Sequence, residues 1–230
     1  MRYIDLGRTI SEDMPMFERY PKVTIRRWWT TYSDFHDSEG KPTGYASNAI
    51  FIGEHTGTHM DAPIHFNPQG VSLEHVPPDV LIGETVVVDV THRKAHEHYT
   101  AEDILAWEKK TGERVREDDI VLFHTRAPEL WARPQAYVTE YPGLSLDGAR
   151  LLRDRRVRAV GTDTINLDNP DDWSFPAHIT LMRAYPRNIL IMENYCNLHL
   201  CPIRFWQVCT ILKIEGGTAS PIRPLAQIPE

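Results

Sequence analysis

Short segments rich in β-branched and aromatic residues recur along the chain, each bounded by Gly, Pro, Asn or Asp. This pattern is typical of β-strands separated by turns and loops. The predicted strands are Asn48–Gly53, Glu84–Val90, Asp119–Thr125, Val157–Gly161, Asn188–Glu193, Trp206–Ile214 and Ile222–Ile228. No internal repeat, low-complexity tract or Gly/Ser linker separates them, so we predict a single domain over residues 1–230.

Two segments between the strands carry the signals of helices. Thr100 and Asp103 have the spacing of a capping box, which predicts a helix over Ile104–Thr111. Ser145 is a typical N-cap for a second helix, Leu146–Arg155. Strands with interspersed helices predict an α/β or α+β domain. The 17 prolines, many of them in long loops, favour a barrel-like sheet with flanking helices over a regular doubly wound one.

The composition excludes several classes of function. A chain of 230 residues can bury a full core without disulfides. Its 25 Lys and Arg against 32 Asp and Glu give a net charge of −7, which argues against nucleic acid as a partner. The longest apolar runs are far shorter than the roughly 20 residues that span a membrane, and the first residues show no apolar signal region. We therefore expect a cytoplasmic protein without a membrane partner.

The chain contains three cysteines, Cys196, Cys201 and Cys209. An odd number this small argues against a disulfide framework, and no C-x-x-C pair suggests a zinc knuckle. We expect buried, reduced thiols near a core strand.

The segment Glu54–Phe66 contains the densest group of titratable side chains in the sequence. His55, His59, Asp61 and His65 lie within eleven residues. In an extended backbone, residues two apart face the same side, so His59 and Asp61 would point together. A helix is disfavoured by the Thr-Gly-Thr run and the proline within the segment. We therefore predict an ordered loop that follows a strand.

Neutral imidazole and carboxylate groups are the ligands that borderline divalent cations select. Three histidines and an aspartate in one short loop thus indicate a metal or catalytic site. Because no cysteine lies nearby, zinc or manganese is favoured, with iron as a weaker alternative.

Further candidates lie elsewhere in the chain. Glu193 ends an apolar segment, which would place its carboxylate at the end of a strand, and His178 precedes that segment. Asp163 follows another predicted strand, where ligand contacts often lie. A second histidine group, His92 to His98, has charged neighbours and is expected to be a solvated loop.

The segment His55-Thr-Gly-Thr-His59-Met-Asp61-Ala-Pro63-Ile-His65 resembles the H-x-G-T-H-x-D-x-P-x-H signature of the metal-dependent cyclase-like hydrolases. Bacterial kynurenine formamidase and isatin hydrolase belong to that family. The resemblance extends over nearly the whole chain. It includes the first strand at Tyr3–Leu6, the segments Tyr141–Ser145 and Val160–Thr164, and the late segment Glu193–Leu198.

The resemblance implies an α/β fold with a β-barrel-like sheet, a homodimer or homotetramer, and hydrolysis of an amide-type C–N bond in a small molecule. The substrate would be a formamide such as N-formylkynurenine or a lactam such as isatin, attacked by a metal-activated water. The positions that match the family's ligands for one or two Zn²⁺ or Mn²⁺ ions are His55, His59, Asp61, His178 and Glu193. Asp61 would bridge the two ions, and His65 matches the proton shuttle.

Two alternatives use the same residues. His59, Asp61 and His178 have the composition of the two-His-one-carboxylate triad of non-haem iron oxygenases, although His55 and His65 then have no role. The second alternative is a metal-stabilised binding protein without turnover.

The sequence leaves the substrate and the aromatic segment at residues 26–45 unassigned. Core packing is favoured over a substrate pocket for the aromatic residues Trp28, Trp29, Trp173 and Phe175.

Overall fold

The computed structural model describes residues 1–184 and 186–229. Four α-helices occur in these ranges: α1 (Ala101–Thr111), α2 (Pro134–Thr139), α3 (Leu146–Asp154) and α4 (Pro176–Met182). The strands there are β1 (Arg2–Asp5), β2 (Thr24–Thr30), β3 (Phe35–His36), β4 (Pro42–Thr43), β5 (Ala46–Phe51), β6 (His59–Asp61), β7 (Gly83–Asp89), β8 (His98–Tyr99), β9 (Ile120–His124), β10 (Gly143–Leu144), β11 (Ala159–Thr162), β12 (Leu190–Glu193), β13 (Arg204–Val208), β14 (Ala219–Pro221) and β15 (Leu225–Ile228).

Nine strands form one curled, half-barrel sheet in the order β1-β15-β13-β7-β9-β11-β12-β6-β14. The four central strands, β7, β9, β11 and β12, are parallel to their neighbours within this group. The strands on either side are antiparallel. The prediction of an α/β domain with a barrel-like sheet is therefore confirmed.

The central strands are buried on both faces. Along β9, Val121 and Phe123 pack into one core cluster, while Ile120 and Leu122 pack into another. The first cluster includes apolar side chains of α1, α3 and α4. Because both faces are covered, β9 is a continuous apolar run rather than an alternation of polar and apolar residues.

Both predicted helices are present. Thr100 and Asp103 form the capping box of α1, and Gly112 ends that helix with a positive φ of 75°. The Ser145 side chain accepts a hydrogen bond from Gly148 N at the start of α3. The sequence interpretation missed α2 and α4, which are short and begin at prolines.

One predicted strand, Trp206–Ile214, is displaced. The observed strand β13 is Arg204–Val208, and no strand follows directly after it in the described chain. The pairing of β13 with β15 ends at Val208. Beyond that residue, Ile211 and Ile214 lie outside the strands of the described chain, and their side chains pack against the core. Apolar residues after Val208 therefore reflect burial, not strand structure.

Strands β2 and β5 form a separate two-stranded ribbon. The described part of this ribbon is largely exposed, and Trp28 is 76% accessible. The expectation of core packing is wrong for Trp28, and also for Trp173, which is 68% exposed. The side chain of Trp29 lies outside the described residues. Across residues 1–184 and 186–229, no helix has the length and apolar character needed to span a membrane.

Candidate metal centre

Strand β6 presents His59 and Asp61 on one face of the sheet and Met60 on the other. It lies between β12 and β14, with His59 opposite both Glu193 and Pro221. Met60 packs into a core cluster, so strand alternation directs His59 and Asp61 together toward the opposite side. Both are almost completely buried.

The loop before β6 brings His55 back toward Asp61. Gly57 has a positive φ of 66°, and a Cβ atom there would lie 3.3 Å from Ile10 Cγ1. The turn thus requires glycine for its conformation and is closely packed against Ile10. The Gly57 carbonyl accepts hydrogen bonds from His59 Nδ1 at 2.9 Å and from Asn194 Nδ2 at 3.0 Å.

Asn194 connects the two segments that carry candidate ligands. It follows Glu193 directly, and its backbone carbonyl accepts a hydrogen bond of 2.7 Å from Thr58 Oγ1. Its side-chain oxygen accepts one of 2.9 Å from the Tyr137 hydroxyl. The turn around Gly57 and the end of β12 are therefore fixed relative to each other.

Asp168 positions His178 and caps the first turn of helix α4. Its carboxylate accepts hydrogen bonds from the backbone N–H groups of Ala177 at 2.6 Å and His178 at 3.1 Å. It also lies 2.5 Å from His178 Nδ1. One side chain thus caps the helix and orients the imidazole, which leaves Nε2 to face the cluster.

The side chains of Asp61, His59, His178 and Glu193 converge in the buried interior. His59 Nε2 lies 3.4 Å from Asp61 Oδ1 and 3.5 Å from Glu193 Oε2. His178 Nε2 lies 3.4 Å from Asp61 Oδ2 and 3.5 Å from Glu193 Oε1. His55 Nδ1 approaches Asp61 Oδ1 to 2.8 Å. Two groups can each hold a metal ion: His55, His59 and Asp61; and Asp61, His178 and Glu193.

The unsatisfied atoms of this cluster fit a bound cation. His59 Nε2 and Asp61 Oδ1 are buried and have no hydrogen-bond partner among the described residues. Because Nδ1 of His59 donates to Gly57, its Nε2 in the neutral ring carries a lone pair that faces two carboxylate oxygens. Buried lone pairs directed at one another are costly unless a cation lies between them. The donor set, imidazole nitrogens and carboxylate oxygens, suits a divalent metal.

The ionisation of the cluster leads to the same conclusion. Burial opposes the charge of Asp61, but the charge of His55 and contacts with His178 and His59 hold its pKa well below the usual range. Burial and the charge of Asp61 raise the pKa of Glu193 to about 7. Burial disfavours charge on His178, yet its hydrogen bonds to Asp168 and Asp61 raise its pKa to about 10. The carboxylates thus attract a cation, whether proton or metal.

His65 differs from His55 and His59, the other histidines of this segment. It lies in the 3₁₀ turn that begins at Pro63, and its ring is 4.2 Å from that of His55 and 6.3 Å from that of His178. Its imidazole forms no hydrogen bond within residues 1–184 and 186–229. Burial lowers its pKa to about 4, with Asp61 opposing this decrease and the neighbouring histidines adding to it. His65 is therefore a neutral base at pH 7.

The cluster lies in the wall of a cavity of about 640 Å³. Aromatic side chains line much of it, namely Phe17, Tyr20, Phe66, Tyr141, Trp173 and Phe175. The Tyr20 ring lies 5.7 Å from that of His55, and the Phe66 ring 4.7 Å from that of His178. Burial, together with the charges of Asp61 and Glu193, raises the pKa of the Tyr20 hydroxyl to about 12. It therefore remains protonated at neutral pH.

The sequence interpretation did not identify Asp168, Tyr20 or the role of Asn194 in this site. Asp168 lies in a polar run that follows β11, a position where ligand contacts often occur. That location was the only available signal. Tyr20 is a single aromatic residue between prolines and charged residues, so no pattern indicated it.

The remaining candidates lie outside the cluster. Asp163 is buried, but its carboxylate accepts hydrogen bonds from the backbone and hydroxyl of Thr125. His92 and His96 are exposed and pair with Asp103 and Asp171. The expectation of a solvated loop is correct for both. All three cysteines are free; Cys196 and Cys209 are buried, as expected, whereas Cys201 is only partly buried.

The relatives of this chain include kynurenine formamidases and isatin hydrolases, and the chain is a metal-dependent hydrolase of the class that acts on C–N bonds other than peptide bonds. The sequence profile of the Cyclase family, described as Putative cyclase, matches residues 4–169, and this chain belongs to that family.

A kynurenine formamidase from Salinibacter ruber is 30% identical over 97% of this chain and 96% of that protein. An isatin hydrolase from Roseibium aggregatum is 30% identical over 91% of this chain and 82% of that protein. The structure of isatin hydrolase A from Labrenzia aggregata, bound to benzyl benzoate, is similar with a TM-score of 0.85 at 28% identity. The structural match covers 100% of this chain and 94% of the isatin hydrolase chain.

Proposed function

We propose that this enzyme hydrolyses an amide-type C–N bond in a small aromatic formamide or lactam. The observation that carries the proposal is the convergence of His59, His178, Asp61 and Glu193 in the wall of an aromatic cavity. Relatives named kynurenine formamidase and isatin hydrolase support the reaction class. The cavity volume of about 640 Å³ suits a small molecule.

We propose Zn²⁺ or Mn²⁺ as the cofactor. The first ion would be held by His55, His59 and Asp61, and a second by Asp61, His178 and Glu193. Both sets contain nitrogen and oxygen donors without a thiolate, which suits these cations. When bound, such a cation lowers the pKa of a water molecule and polarises a carbonyl group.

The protein's own residues would orient the substrate and transfer protons. The aromatic rings of Phe66 and Tyr20 beside the histidines provide flat surfaces for a planar substrate. The neutral His65 would accept a proton from the attacking water at one ring nitrogen. It would then donate that proton to the leaving nitrogen. Its low pKa in the free protein makes it a weak base and, once protonated, a strong acid toward the leaving group.

A substrate panel under controlled oxygen tests the reaction. Protein loaded with Zn²⁺ or Mn²⁺ should hydrolyse formanilides or isatin at the same rate in air and under argon. The Asp61→Asn variant, which weakens both candidate metal sets, is the control and should be inactive. A requirement for O₂ would instead support the oxygenase that uses His59, Asp61 and His178. Metal binding without turnover of any formamide, lactam or ester would support a binding protein.

We also propose a homodimer or homotetramer in the cytoplasm. The exposed apolar side chains of the β2–β5 ribbon support association, since two-stranded ribbons are marginally stable alone. The free state of Cys196, Cys201 and Cys209 supports a reducing compartment.

A further inference from the structure

The three candidate histidine ligands are supported in different ways. His178 Nδ1 is fixed by a carboxylate, Asp168, and His59 Nδ1 by a backbone carbonyl, that of Gly57. His55 Nε2 lies 3.2 Å from the hydroxyl oxygen of Thr218, a residue far away in sequence. His55 is thus the one of the three that faces a side-chain hydroxyl.

The hydroxyl proton of Thr218 is used in another hydrogen bond, to Glu54. Thr218 Oγ1 lies 2.7 Å from Glu54 Oε2, and the Thr218 backbone N–H donates to the same oxygen at 2.9 Å. A carboxylate oxygen can only accept, so the hydroxyl donates to Glu54. Its lone pair can then accept the proton on His55 Nε2, which leaves Nδ1, 2.8 Å from Asp61 Oδ1, free to share a cation with that carboxylate.

The place of the hydroxyl is fixed by the sheet. Thr218 directly precedes β14, the strand that pairs with β6. Its carbonyl accepts a hydrogen bond of 2.8 Å from Ala62 N, just after β6 ends. Strand pairing therefore sets the position of Thr218 relative to Asp61.

We propose that Thr218, oriented by Glu54, is a positioning residue that fixes His55 in the Nε2–H tautomer, so that His55 binds metal through Nδ1. His59 and His178 would bind through Nε2, because their Nδ1 atoms are the ones engaged. This inference rests on the proposed ligand set. Groups that orient a ligand from behind typically contribute about 10- to 100-fold in metal affinity.

The test compares two Thr→Val variants that remove a hydroxyl at nearly constant shape. Thr218→Val removes the acceptor for His55, whereas Thr56→Val removes a buried hydroxyl next to His55 that has no hydrogen-bond partner in the described part of the chain. Zn²⁺ affinity is measured by competition with a chromophoric chelator. We expect a loss of about 10- to 100-fold for Thr218→Val and wild-type affinity for Thr56→Val. Thr218→Ser should restore most of the affinity, since it restores the hydroxyl.

A second readout reports the tautomer directly. Long-range ¹H–¹⁵N correlation spectra of the Zn²⁺-loaded protein above pH 8 should show His55 protonated at Nε2 in the wild type. They should show a mixture of tautomers in Thr218→Val. Equal affinities for Thr218→Val and wild type, or a His55 ring protonated at Nδ1, would overturn the proposal. The His55→Ala variant distinguishes failure of the positioning role of Thr218 from failure of the proposed ligand set. If His55→Ala binds Zn²⁺ as tightly as wild type, the proposed ligand set itself fails.

Discussion

His59 and His65 belong to the same short segment but have different surroundings. His59 lies in a strand, with one nitrogen bonded to Gly57 and the other facing two carboxylates. His65 lies in a 3₁₀ turn, where its ring contacts other rings and pairs with no carboxylate of residues 1–184 and 186–229. Strand geometry thus favours a ligand role for His59, and the turn favours proton transfer by His65.

This difference predicts distinct effects of two alanine substitutions. His59→Ala should bind less metal and melt at a lower temperature, because a metal that binds only the folded state stabilises it. His65→Ala should retain its metal and melting temperature but lose about 10²- to 10⁴-fold in turnover. Elemental analysis, thermal melting and steady-state kinetics measure the three properties. Equal metal loss in both variants would make His65 a ligand.

At the residue scale, a dense group of titratable side chains in the sequence indicated the site, whereas isolated residues gave little indication of their roles. The segment that contains His55, His59 and Asp61 is unusual in composition, so it could be singled out without a fold. The prediction of a loop was nevertheless wrong for His59–Asp61, which forms strand β6. Glu193 was linked to it through the family resemblance, since its meeting with His59 depends on the pairing of β12 with β6. Thr218 had no signal at all, because a lone threonine after two glycines is common in turns.

Among the elements, α1 shows how completely a capping signal can define a helix start. Asp103 accepts hydrogen bonds from Thr100 N at 2.7 Å and Thr100 Oγ1 at 3.0 Å, and it pairs with Arg93 at 2.8 Å. Burial opposes its charge, but Arg93, Thr100 and His92 lower the pKa of Asp103 to about 2. The ordinary value for aspartate is about 3.9.

We therefore predict a pH-dependent cost for Asp103→Asn. The depressed pKa means that the charged carboxylate stabilises the fold above about pH 4, and that this contribution is lost as pH falls through about 2. At pH 7 the variant should be less stable by about 0.5–2 kcal/mol, the usual range for a lost cap. Urea unfolding at pH 7 and at lower pH measures the difference, which should shrink on acidification. Glu102→Gln, in the same helical turn but exposed, should have little effect.

The strands were predictable as segments but not as a sheet. Apolar runs such as that of β9 identify buried strands, yet they contain no information on which strand is adjacent. The boundary of β13 was misplaced because the apolar residues continue beyond the last paired residue, Val208. The ribbon of β2 and β5 shows the opposite error. Composition alone suggested core packing for its aromatic residues, but Trp28 is exposed.

For the molecule as a whole, metal removal is expected to lower stability reversibly. Binding at a free-metal concentration 100 times the Kd stabilises the folded state by about 2.7 kcal/mol. Protein treated with a chelator should therefore melt earlier by calorimetry and recover after addition of Zn²⁺ or Mn²⁺. The Asp61→Asn variant should show little response to either treatment. An unchanged melting temperature for wild type after verified metal removal would argue against the proposed centre.

The exposed ribbon yields a prediction about assembly. We expect a dimer or tetramer by light scattering, and replacement of Trp28 and Phe51 by serine should shift it toward monomer without loss of the far-ultraviolet circular dichroism spectrum. Leu105, which is 48% exposed on α1, provides the matched control, and Leu105→Ser should leave the assembly unchanged. A wild-type monomer at micromolar concentration would contradict this prediction.

The position of β6 has a consequence for the order in which the molecule is made. During synthesis β6 emerges early, but its two partner strands, β12 and β14, come from residues 190–193 and 219–221. The central parallel strands β7, β9 and β11 can pair before then. Because contacts distant in sequence form late, His59 and Asp61 meet Glu193 only after the segment up to residue 193 has been synthesised. The second candidate set would then be completed late in synthesis, whereas the first set, His55, His59 and Asp61, lies within one early segment. A shortened chain that ends before β12 would contain the histidine motif without Glu193.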